Sequence, residues 1–142
     1  MESERYRAGI GKLRAVYGTI GDNVITSVEE IAPDFAKYVV ESFGDVYLRA
    51  GLDDRVREIS VVTALATLGS VAPQLKVHLH GALNVGCTRQ EIVEVLMQLA
   101  FYAGVPVALN ALFIAKEVFA ERDAVPALAN LDRRQDPHNG TL

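Results

Sequence analysis

Between Asp53 and Gly69 the chain carries a stretch that reads as a helix with almost no polar face. Asp53 supplies a side-chain oxygen for the first turn, and Gly69 stands just past the last one. At about 100° of rotation per residue, Ile59, Val61, Val62, Ala64, Leu65, Ala66 and Leu68 spread round the axis and leave only a Ser60-Thr63-Thr67 strip. Such a helix is either central in the fold or covered by another subunit. The rest of the chain has to be arranged around that requirement.

Its neighbours are helical too. Residues 4–16 predict a short charged helix ending near Tyr17-Gly18, and 22–31 a second one. Pro33 suits the first turn of a third, running through Phe35, Val39 and Val40 to Phe43-Gly44, with a brief turn Asp45–Arg49 before Gly51. A further helix spans about 73–85 and stops at Gly86. Thr88-Arg89-Gln90-Glu91 is a capping box opening a helix with Ile92, Val93, Leu96, Met97 and Ala100, which Gly104 ends. Pro106 begins the last helix, with Leu109, Leu112, Phe113 and Phe119 apolar, up to about Arg122. No strand alternation competes, so the predicted architecture is an all-α bundle of about six helices. Residues 1–122 form one helical domain in this reading. Residues 123–142 form a tail, mobile or packed on a neighbouring subunit.

At 142 residues, half of them apolar, the chain can bury a substantial core. The apolar positions exceed what so small an interior can hold, which predicts a homo-oligomer. A net charge of −4 without a Lys/Arg cluster argues against nucleic acid. Charge throughout residues 1–16 predicts no signal peptide, and the apolar runs are too interrupted to span a bilayer, so a cytoplasmic protein without membrane contact is expected. The lone Cys87 excludes an intrachain disulfide and a thiol-rich zinc site, and reads as a small, half-buried apolar residue.

Two histidines fall on the 73–85 helix. His78 lies between Ala82 and Val85, in the arc of Leu75 and Leu79, whereas His80 lies between Lys76 and Asn84 on the polar side. An imidazole on a core-facing stripe suits proton transfer, or it is a core residue satisfied by one hydrogen bond. Residues two apart on a helix point roughly 160° from each other, so the pair cannot chelate one ion and no metal is expected. Arg57 lies in line with Val61, Ala64 and Leu68 and needs a carboxylate from protein or ligand. Asp45, Arg49 and Arg55, beside the glycine-bounded turn, form either a structural ion-pair cluster or a ligand site. Glu91 reads as a cap. Glu94 and Gln98, one turn apart, face either core or solvent.

These pieces, in order, resemble the carboxymuconolactone decarboxylase family. The similarity runs through Arg14-Ala15-Val16-Tyr17-Gly18, Phe43-Gly44-Asp45-Val46, Arg55-Val56-Arg57 and Leu75-Lys76-Val77-His78. It continues in Gly86-Cys87-Thr88-Arg89-Gln90-Glu91-Ile92, Tyr102-Ala103-Gly104-Val105-Pro106 and Ala115-Lys116-Glu117-Val118-Phe119. The resemblance implies an alkylhydroperoxidase D-like fold in homotrimers or homohexamers, with sites near subunit contacts and no cofactor. It implies a carboxy-lyase of aromatic catabolism that takes CO2 from 4-carboxymuconolactone or a similar small carboxylated lactone, leaving an enol-lactone.

By the same resemblance, His78 and Asp45 are catalytic, Arg57, Arg49 and Arg55 hold substrate carboxylates, and His80, Glu94 and Gln98 support them. The thiol peroxidases of the wider superfamily carry a Cys-x-x-Cys pair, where this chain has Pro73-Gln74-Leu75-Lys76, so that activity is not expected. The chain departs from the family pattern in Asp45, where glutamate is expected, and in Gln98, often histidine. Two other readings stay open: a non-catalytic, small-carboxylate-binding oligomer, and a cofactor-free isomerase of a related lactone.

Overall fold

The computed structural model describes residues 2–135, with side chains up to Val125. Among these residues every regular element is a helix: α1 Glu4–Tyr17, α2 Thr19–Glu29, α3 Pro33–Tyr47, α4 Asp54–Leu68, α5 Ala72–Asn84, α6 Arg89–Tyr102 and α7 Val105–Gln135. The start signals act as their chemistry requires. Asp53 accepts from the Val56 N–H, and Thr88 and Glu91 close a reciprocal capping box on α6. No helix among the described residues is long and apolar enough to cross a membrane.

Three boundaries differ from expectation, the first being α2, which starts at Thr19 and not at residue 22. Gly44 does not stop α3, which runs on to Tyr47 and absorbs much of the expected turn at 45–49. Its glycine serves a close crossing instead. A Cβ at Gly44 would lie 2.7 Å from the Gly9 Cα, and one at Gly9 would lie 2.2 Å from the Val40 carbonyl oxygen. Backbone contact of that kind offsets the ~1 kcal/mol that a mid-helix glycine costs. The last helix continues past Arg122 to Gln135, so the first part of the expected tail is helical. Residues 136–142, the remainder of that tail, lie outside the described residues.

The apolar interior has two parts. Ile10, Leu13, Val16, Tyr17, Ile25, Ala36 and Val40 pack α1, α2 and α3 together. Val62, Leu75, Leu79, Ile92, Leu96, Ala111 and Val118 belong to the larger cluster of α4–α7. Helix α5 divides them, with Leu75, Leu79 and Ala82 on the larger cluster and Val77 and Val85 against the smaller one. Because both sides of α5 are covered, the simple polar face expected for it does not exist. His80 is only 7% exposed, held beneath α7 with Nε2 3.0 Å from Glu121 Oε2. His78 keeps 20% of its side chain exposed. The expected contrast, with His78 core-facing and His80 on a wet face, is thus corrected.

The almost wholly apolar α4 packs against α5, α6 and α7. Its buried line is Glu58, Val62 and Ala66, while Val56 and Leu68 are largely exposed. A second apolar surface gathers where α6 meets α7: Phe101 and Tyr102 are 89% and 84% exposed, followed by Val105, Leu109 and Phe113.

Candidate active site

The seam between the two apolar clusters holds one fully buried carboxylate. Glu58 is 0% exposed, on the same line of α4 as Val62 and Ala66. An isolated ion there would be prohibitively costly, so its oxygens must be met by donors. Three arrive from three other helices. Tyr17 at the end of α1 donates its hydroxyl to Oε1 at 2.6 Å, and Tyr47 at the end of α3 donates to the same oxygen at 2.7 Å. His78 Nδ1 of α5 lies 3.2 Å from Oε2. The close approach of α5 requires Gly81, where an added Cβ would lie 2.4 Å from the Tyr17 ring and 2.7 Å from Glu58 Oε2.

This geometry fixes the imidazole. Nδ1 lies 3.1 Å from the Tyr17 oxygen, whose hydrogen is committed to Glu58. With Glu58 ionised, Nδ1 faces acceptors only, which places a ring proton on Nδ1 and leaves Nε2 as the ring nitrogen for exchange with a ligand. Tyr17 also meets the imidazole edge-on, with ring centroids 5.1 Å apart. Burial, together with the Glu58 charge, pushes the Tyr17 hydroxyl far above the ordinary phenol range. Burial and the Glu58 hydrogen bond do the same to Tyr47. Both tyrosines are donors at any working pH.

Arg57 adjoins this network through Tyr47. Its guanidinium carbon lies 5.5 Å from the Tyr47 ring centroid, and Nη2 donates to the Arg49 carbonyl oxygen at 3.0 Å. Its Nε is buried and has no hydrogen-bond partner among the described residues. A buried N–H without an acceptor is destabilising, and because this nitrogen is closed to solvent a carboxylate could meet it only if the side chain shifts. Arg49 contributes its backbone to this arrangement, and its side chain is exposed.

The other expected site residues stand apart. Asp45 sits on the exposed side of α3, paired with Arg5, which also reaches Glu41. That pairing, and the face of α3 opposite Phe43 and Tyr47, keep it out of the His78 network, so its expected catalytic position is not observed. The Arg5 hydrogen bond lowers the Asp45 carboxyl below its usual range. Arg55 is committed to Glu91, at 2.6 and 2.8 Å, beside a separate cleft of about 280 Å³ with Val56, Ile59, Cys87 and Val95 on its walls. Glu91 is the cap its position suggested, and Cys87 is buried with its thiol pushed up by burial. His80 pairs with Glu121, which Lys76 also holds. Glu94 and Gln98 are exposed on α6.

Glu58, Tyr17 and Tyr47 were not among the residues singled out in sequence. The signal for Glu58 was present: a carboxylate at i relative to the buried Val62 and Ala66 at i+4 and i+8. Nothing local marks the tyrosines, because their shared acceptor lies 41 and 11 residues away.

Comparison with known proteins agrees with this scaffold. A 4-carboxymuconolactone decarboxylase of Acinetobacter baylyi is 28% identical over 133 residues, 92% of this chain and 98% of that protein. An uncharacterized 15.0 kDa protein of Paracoccus denitrificans is 34% identical over 99 residues, 68% of this chain and 74% of its own. A nitrosuccinic acid decarboxylase of Metarhizium robertsii is 33% identical over 81 residues, 54% of this chain and 52% of its own. The family profile that matches residues 33–117 takes in α3 to α6 and the first part of α7, with Tyr47, Arg57, Glu58 and His78 inside it. By that match, this chain belongs to the carboxymuconolactone decarboxylase family.

Proposed function

We propose that the protein is a cofactor-independent decarboxylase of a small carboxylated lactone, 4-carboxymuconolactone or a close analogue. The observation that carries this reading is the grip of the buried Glu58 carboxylate on His78 Nδ1. It orients the ring, directs Nε2 away from the network, and balances the ring's charge when Nε2 is protonated as well.

The residues meet the needs of the reaction one by one. A substrate carboxylate binds at Arg57, whose terminal guanidinium nitrogens make a single hydrogen bond with the protein. The bond from the ring carbon to the departing carboxylate breaks, and CO2 leaves. Its electron pair moves through the ring double bond onto the lactone carbonyl oxygen, giving a dienolate. His78 Nε2–H then delivers its proton to the ring carbon beside that carbonyl, giving the enol-lactone, and the imidazole regains a proton from water. Glu58 and Tyr17 stay in place throughout. The names of two relatives support the class: carboxymuconolactone and nitrosuccinic acid both pair a carboxylate with a group able to hold electrons on oxygen.

The same proposal includes self-association, as a homotrimer or homohexamer. Phe101, Tyr102 and Phe113 alone offer several hundred Å² of aromatic surface, on the scale that marks an interaction site on a monomer. Native mass spectrometry checks this, and a monomer at micromolar concentration would contradict it.

The direct test is CO2 release from 4-carboxymuconolactone. His78→Ala should lower kcat by about 10²-fold or more. Carboxylate binding without turnover would favour the non-catalytic reading. Proton exchange of a carboxyl-free lactone, faster than CO2 loss from the acid, would favour an isomerase.

A further inference from the structure

Tyr47 is in contact with both halves of the site. Its hydroxyl donates to Glu58 Oε1 at 2.7 Å, the carboxylate whose other oxygen holds His78. Its ring lies under the Arg57 guanidinium, 5.5 Å from centroid to Cζ, and stacks on Phe43 at 4.0 Å with 23° between planes. Tyr17 makes the same hydrogen bond to Glu58, and its ring meets Phe43 and His78. The two tyrosines are equivalent as donors and different as platforms.

Arg57 has few other restraints. Among the described residues its hydrogen bonds reduce to one, from Nη2 to the Arg49 carbonyl oxygen. An arginine held at one atom keeps much of its rotamer freedom, and a flat aromatic face beneath the guanidinium removes it. With the ring in place, the guanidinium is kept in a fixed plane for a carboxylate at its terminal nitrogens, and the Glu58–His78 pair is kept in fixed register with it.

We infer that Tyr47 is a positioning residue with two separable roles: its ring aims the carboxylate-binding Arg57, and its hydroxyl sets the proton-donating His78 through Glu58. This rests on the decarboxylase reading only for its kinetic half. The binding half concerns a carboxylate ligand alone.

The separation can be read with two variants and two assays. Tyr47→Phe keeps the ring and deletes the hydroxyl, while Tyr47→Leu deletes both. The binding assay is calorimetric titration with muconolactone, which keeps one carboxylate and has none to lose. Tyr47→Phe should bind it within about twofold of the unmodified protein, and Tyr47→Leu roughly tenfold more weakly. On 4-carboxymuconolactone, Tyr47→Phe should lower kcat roughly tenfold with KM nearly constant. Tyr47→Leu should show the same kcat loss and a KM raised roughly tenfold, provided circular dichroism shows both variants folded.

Equal binding by the two variants, or loss of binding in Tyr47→Phe, overturns the role of the ring. An unchanged kcat in Tyr47→Phe overturns the role of the hydroxyl. Failure of the unmodified protein to bind muconolactone overturns Arg57 as its receptor. Binding with the predicted split but no CO2 release would refute the decarboxylase reading and leave the aiming of Arg57 intact. Should Tyr47→Leu fail to fold, Tyr47→Trp, which keeps a face and loses the hydroxyl, must bind like Tyr47→Phe or the inference falls.

Discussion

Two imidazole–carboxylate pairs sit on opposite sides of α5, and they are built very differently. His78 meets Glu58, a residue with no exposure that accepts from two tyrosines as well. His80 meets Glu121, whose side chain is 46% exposed and is shared with Lys76. At 3.2 and 3.0 Å the two contacts are nearly the same length. What differs is the surroundings of the carboxylate. Where water reaches Glu121, charge can be screened and the pair is replaceable; where it cannot reach Glu58, every donor matters. The two pairs therefore do not differ in length, and the burial of the acid is what separates them.

The sharpest way to break this contrast is through activity. His78→Ala should cost about 10²-fold or more in kcat, whereas His80→Ala should leave kcat within a few-fold, both measured as CO2 release. Comparable losses in the two variants would remove the distinction. Stability should follow. Glu58→Ala strands two tyrosine hydroxyls and an imidazole, and should cost about 3–5 kcal/mol in urea unfolding; Glu121→Ala should cost about 1 kcal/mol or less.

Alkaline titration refines the comparison further. The folded-state pKa values of Tyr17 and Tyr47 are raised above the ordinary 10.0. Their contribution to stability is fully present below pH 10 and falls as pH rises beyond it, because the unfolded chain releases those protons first. The melting temperature should drop above pH 10, and Tyr17→Phe should make that drop shallower. The smallest effect belongs to the α7 side. Glu121 is lowered by its Lys76 hydrogen bond first and by His80 second, so its contribution is present above its unfolded value and fades as pH falls. High salt should erase most of that acid-side change, as seen by thermal melts, and leave the alkaline one.

Much of the scaffold is legible in sequence because helix punctuation is local chemistry. Asp53, Gly69, Thr88 and Glu91 act within a turn of their own positions, and their roles follow from residue type. Gly44 shows where such reading fails. A glycine that ends a helix and one that admits a neighbouring backbone look alike in one dimension, and only Gly9 on α1 separates them. The site divides in the same way. His78 and Arg57 stand out as polar residues in apolar company, and the structure links them through Glu58 and Tyr47. Glu58 is readable in principle from the Val62 and Ala66 stripe. Asp45 and Arg55 carry the right charges, but Arg5 and Glu91 occupy them, and those partners lie 40 and 36 residues away.

The crossing of α1 over α3 at Gly9 and Gly44 has one more consequence, for truncation. The family match begins at residue 33, yet Tyr17, which touches both Glu58 and His78, comes from before that point. A fragment cut to residues 33–117 would retain the glutamate and the imidazole while unroofing them, admitting solvent to a carboxylate that the whole chain keeps dry. The amino-terminal helix thus completes the Glu58–His78 network, brought to it by two residues with no side chains at all.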